Sequence, residues 1–127
     1  MKRENDEMRR LVEQANQACS TGLSAEDYEA AFVAVVDFVH AHPGGRPTLL
    51  SLLLNQIREG GGCIEFVEFC AHELRWVEIR QGATDRIAST DDWRIKTPLS
   101  NVVRALDADW PDAEIYERWR TKNGGAE

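Results

Sequence analysis

The chain has 127 residues, 43% of them hydrophobic and 29% charged, which supplies one packed core under an ordinary polar surface. Its formal net charge of −7 repels nucleic-acid phosphates and anionic membrane surfaces, because both are bound through clustered Lys and Arg. The composition therefore argues against a nucleic-acid binder and a membrane-surface protein; the acidity reads first as plain solubility, with attraction of a basic partner protein as the additional reading.

The opening Met1-Lys2-Arg3-Glu4-Asn5-Asp6-Glu7 alternates charge and leads into no apolar segment, which reads as the absence of a secretory leader. Met8, Leu11, Val12, Ala15 and Cys19 then fall at helical intervals with charged residues opposite them. Gly22 ends that helix. Ser24 is an N-cap for a second helix over about Ala25 to Ala41, with Asp27 supplying negative charge in the first turn. Tyr28, Phe32, Val35 and Val39 form its inner stripe, widened by Ala31, Val36 and Phe38, while Glu26, Glu29 and Asp37 lie opposite. His42-Pro43-Gly44-Gly45 stops it, and the histidines His40 and His42 sit at its end, where the helix dipole favours them.

Pro47 suits the first turn of a third helix carrying Leu49, Leu50, Leu52, Leu53, Leu54 and Ile57. The run Gly60-Gly61-Gly62 breaks it. A fourth helix is predicted from about Cys63 to Trp76, with Ile64, Val67, Cys70, Ala71 and Leu74 facing inward. The stretch Val77 to Ala88 is a weaker helix, since Gly82 costs it stability. Ser89-Thr90-Asp91-Asp92 is a turn or a helix start. Thr97-Pro98 reads as N-cap and first-turn proline of a helix bearing Leu99, Val102, Val103 and Leu106. Asp109-Trp110-Pro111-Asp112 leads into a short last helix with Ile115, Tyr116 and Trp119, and residues 122–127 form a frayed tail. The expected fold is all-α: one domain over residues 1–121, with about six or seven antiparallel helices in an irregular bundle or a stack of helical hairpins.

Trp76, Trp93 and Trp110 are evenly spaced, but their flanking residues do not match, so they mark no repeat. The segment Val67-Glu68-Phe69-Cys70-Ala71-His72-Glu73-Leu74-Arg75-Trp76, followed by Ile79 and Ile87, resembles the hairpins of bacterial HEAT-like helical-repeat proteins. Leu106-Asp107-Ala108-Asp109-Trp110 and Glu114-Ile115-Tyr116 continue that rhythm over the second half of the chain. The resemblance implies a scaffold that presents a surface to a protein partner, and it brings no catalytic residue.

On the fourth helix, Glu65, Glu68, His72 and Arg75 are spaced to form one polar strip, with Phe69 and Trp76 beside it and away from the inner face. The strip admits three readings: a solvated face of ordinary neighbours, a recognition edge combining charge with aromatic area, or a metal site of Glu65, Glu68 and His72. No second Glu/His set completes the last of these, and Glu114-x-x-Glu117 lacks a histidine. Asp107, Asp109, Asp112, Glu114 and Glu117, with Asp91 and Asp92, could make an acidic patch that enters the basic cleft of an enzyme; alternatively Asp109 and Asp112 cap a helix and the rest maintain solubility.

Cys19, Cys63 and Cys70 are odd in number and follow no paired spacing, which predicts reduced thiols in a cytoplasmic protein, with Cys63 and Cys70 as small core residues. No Cys-x-x-Cys, phosphate-cradling Gly loop or Gly-x-Ser-x-Gly is present, so neither a cofactor nor a catalytic residue is expected. The leading expectation is a non-catalytic protein-binding module. By size, acidity and lack of machinery it is similar to bacterial toxin-immunity proteins, which cover the active site of a basic toxin. Its partner-binding residues would be Glu65, Glu68, Phe69, His72 and Trp76, with Asp107, Asp109 and Asp112 as a second patch. Two alternatives stand beside it: a metal-dependent nucleotide hydrolase using the helical carboxylates, and a structural subunit that dimerises through an apolar face.

Overall fold

Capping chemistry sets the helix boundaries. In the computed structural model, which describes residues 2–22, 24–60 and 62–106, α1 (Lys2–Thr21) gives way at Gly22 to α2 (Ala25–Ala41). Asp27 holds the start of α2 by accepting the Ser24 N–H at 3.0 Å. A 3₁₀ turn at Pro43–Gly45 leads straight into α3 (Arg46–Glu59), whose C-terminal end is closed by Gly60 in the left-handed conformation, φ 76°. α4 (Ile64–Leu74), α5 (Val77–Ala88) and α6 (Trp93–Leu106) follow. The described residues are thus all-α, as the periodicity of the sequence predicts.

The helix contacts define two layers. α3 packs against both α1 and α5, and α4 packs against both α2 and α6. Across the layers α1 meets α2, α3 meets α4 and α5 meets α6. The result is three helical hairpins stacked side by side, odd-numbered helices in one layer and even-numbered helices in the other. This is a general way to bury amphipathic helices and carries no family assignment by itself.

The core lies between the layers. Met8, Val12 and Ala15 of α1, Phe32, Val35 and Val36 of α2, and Leu49 and Leu53 of α3 are buried in it. Phe32 is its aromatic centre, with ring centroids 5.4 Å from Phe66 and 5.3 Å from Phe69, the latter edge to face. α4 occupies the middle of its layer and is covered on several sides, so six consecutive residues, Phe66 to Ala71, are buried.

Three expectations are corrected. Cys19 and Cys63 are joined in a disulfide, their Cα atoms 6.2 Å apart, where reduced thiols were expected. It ties the last turn of α1 to the residue preceding α4, a proximity that only the three-dimensional path creates. The thiol argument for a cytoplasmic location falls with it. What stands is that no helix among the described residues is long and apolar enough to cross a membrane.

Second, α6 begins at Trp93 and not after Thr97, so Pro98 lies inside the helix. Asp92 supplies the start: its Oδ1 accepts the Arg94 N–H at 3.0 Å, and its carbonyl accepts from Ile95 and Lys96. The earlier start brings Ile95 against the core, which offsets the hydrogen bond that Pro98 cannot donate. Third, α4 ends at Leu74, two residues before Trp76, with Arg75 left-handed at φ 55°. The last predicted helix, the tail at 122–127 and the acidic residues from Asp107 onward lie outside the described residues.

Candidate functional site

The strip predicted on α4 is interrupted in its middle: Glu65 and His72 are partly exposed and Arg75 is exposed, but the residues between are covered. Phe69 is 0% exposed and Glu68 6% exposed, because α2 and α6 close on α4 from either side of the face that one-helix geometry would leave wet. Neither residue can be a contact for a partner while the fold is intact. Trp76 is half-buried, and the guanidinium of Arg46 lies 4.5 Å over its ring while pairing with Glu78 at 2.9 Å.

His72 and Arg75 have structural work at the end of α6. The Nδ1 of His72 is 3.1 Å from the carbonyl oxygen of Ala105, and since a carbonyl only accepts, Nδ1 carries the proton. An Arg75 guanidinium nitrogen donates to the carbonyl oxygen of Leu106 at 3.0 Å. Both bonds tie α4 and the residue after it to the backbone of α6. The second accompanies the left-handed backbone of Arg75, a conformation unusual for a residue with a Cβ.

Glu65 leaves the strip at its other end. Its Oε1 lies 2.9 Å from the Cys63 sulfur and 3.9 Å from the Cys19 sulfur. Among the described residues, the one group of potential metal ligands that converges is Cys19, Cys63 and Glu65. Glu65, Glu68 and His72 do not come together.

A different surface emerges where α3, α4 and α6 meet. Ile57, Ile64, Val67, Ile95, Pro98 and Leu99 line an open groove of about 240 Å³, with Gln56 and Arg94 as its polar side chains. The triglycine turn forms part of the wall through Gly60 and Gly62. Trp93, which directly precedes the lining residues Arg94 and Ile95, is 71% exposed. Val77, at the start of α5, is 69% exposed. Large apolar side chains are normally withdrawn from water, at roughly 25 cal/mol for each Å² covered, so an exposed tryptophan beside an apolar groove marks a surface suited to contact.

The sequence pointed to Trp76 and Phe69 and missed Trp93. Ser89-Thr90-Asp91-Asp92 reads as a turn or a helix start, and neither gives a hint of which way the tryptophan after it faces. The groove was equally hidden, since its lining comes from three helices distant in sequence.

No family model, no curated protein and no solved structure matches this chain. The class defined by fold and site is therefore a small all-α domain of stacked hairpins with an apolar groove at its surface.

Proposed function

We propose that the chain is a non-catalytic protein-binding module for a basic partner, engaged through Trp93 and the groove between α3, α4 and α6. The observation that carries this reading is the 71% exposure of Trp93 directly before two residues of an apolar groove. Tryptophan is among the residues most enriched at the energetic centres of interfaces, because it covers much area with few rotatable bonds. The net charge of −7 selects the partner by sign, speeding the approach of a basic protein and repelling acidic ones. In its narrower form the module is an immunity-type inhibitor whose partner is a basic enzyme with an active site to be covered.

The test is affinity capture by the tagged full chain from its native host, with stepwise salt elution, followed by titration of the captured protein against Trp93→Ala. A stoichiometric basic partner is expected, released by salt and bound at least about tenfold more weakly by the variant, the loss of a typical hot spot. Thermal stability of Trp93→Ala should match the parent, because the side chain it removes is mostly in water. A partner that binds the variant equally well would refute the assigned surface. Recovery of the chain alone, as a dimer in sedimentation, would replace the basic partner with a second copy.

A further inference from the structure

We infer that, once the Cys19–Cys63 disulfide is reduced, the two thiolates and Glu65 form a binding site for Zn²⁺. Three side chains converge there: Cys19 in the last turn of α1, Cys63 directly before α4, and Glu65 in the first turn of α4. Their ligand atoms lie within 4.8 Å of one another, a spread that one cation can bridge. Two sulfurs and one carboxylate oxygen select a borderline-soft ion such as Zn²⁺ and disfavour Mg²⁺ and Ca²⁺, which take oxygen shells.

The surroundings hold this geometry in place. The Asn16 side chain accepts the Cys63 N–H at 2.9 Å and donates to Gln56 Oε1 at 2.9 Å, so α1 and α3 together fix the backbone of one ligand. Gly62, at φ 76°, lets the chain pass close by: a Cβ there would fall 2.6 Å from Gln56 Nε2 and 2.9 Å from Asn16 Oδ1. The N-terminal end of α4 favours negative charge on both Cys63 and Glu65. In the disulfide neither sulfur has a proton, so the Glu65 oxygen 2.9 Å from Cys63 faces a sulfur that cannot donate to it. A bound cation answers all three groups at once and leaves a fourth tetrahedral position for water.

Disulfide and metal exclude each other. A small dithiol reductant gives two electrons and two protons to the Cys19–Cys63 bond and itself closes to a disulfide. Zn²⁺ then displaces the two thiol protons to solvent.

The test titrates Co²⁺, as a spectroscopic stand-in, and then Zn²⁺ into the full chain, reduced and oxidised. The reduced chain should take up one ion, with a near-ultraviolet sulfur-to-cobalt charge-transfer band that Zn²⁺ bleaches, and Zn²⁺ should raise its Tm. The oxidised chain should show neither effect. Cys63→Ser should abolish the band, and Glu65→Gln, which is isosteric, should weaken Zn²⁺ binding by about tenfold or more. Cys70→Ala should leave the band unchanged. A folded reduced chain without the band would overturn the site, and so would wild-type affinity in both Cys63→Ser and Glu65→Gln.

Discussion

At the scale of single residues, Cys70 shows what burial does to chemistry. Its side chain is fully enclosed, and desolvation, reinforced by the nearby charge of Glu73, pushes the thiol well above its ordinary range. The folded chain therefore keeps the Cys70 proton where the unfolded chain, with a thiol pKa of about 8.5, gives it up. With the folded value raised, stability is fully present below that pH and declines as pH rises above it. Urea midpoints measured from about pH 7 to about pH 10 should fall with a slope that Cys70→Ala reduces. An unchanged slope in the variant would contradict the assignment. Phe69 and Glu68 are a second case: helical spacing places residues on a wheel, but only the neighbouring helices decide which parts of the wheel are covered. His72 and Arg75 sit at the end of α6 for the same reason, and their partners lie more than thirty residues away in sequence.

Among the elements, α5 is the one whose sequence argued most weakly for a helix. Gly82 lies in its interior and costs about 1 kcal/mol relative to Ala. The packing explains why glycine is tolerated: a Cβ at this position would fall 2.6 Å from Leu54 Cδ2 on α3, so its absence lets the two helices approach closely. Gly82→Ala alone should be close to neutral, because the gain in helix propensity is offset by the displacement of Leu54. In a Leu54→Ala background the same substitution should stabilise the chain by about 1 kcal/mol. A double-mutant cycle from chemical denaturation checks this, and the absence of coupling between the two sites would refute the close approach. Helix α6 illustrates a competition between two start signals. Thr97-Pro98 has the local form of a helix entry, but Asp92 caps five residues earlier and wins because that start buries more of the helix's apolar face.

For the whole molecule, the disulfide is the longest-range covalent constraint among the described residues. It joins positions 44 residues apart and so restricts the unfolded chain substantially. Loss of the bond should cost roughly 2–4 kcal/mol, read as a lower urea midpoint in the presence of a dithiol reductant. Added Zn²⁺ should return part of that loss to the reduced chain. The same midpoint with and without reductant would show that the bond contributes nothing to stability. The stack of hairpins also creates a surface that no single helix displays, since one groove collects apolar residues from α3, α4 and α6.

Composition and periodicity were sufficient for the all-α fold, for the bounds of α2, for the helix breaks at Gly22 and Gly60, and for the inward faces of α1 and α2. These are local properties, set by side-chain spacing and by which residues can cap or end a helix. The tertiary structure alone decided that Phe69 and Glu68 are buried, that Trp93 is exposed, that Cys19 meets Cys63 and Glu65, and that a groove opens beside α6. Each of these depends on contacts between residues distant along the chain, and helical spacing contains no information about which helix becomes the neighbour of which.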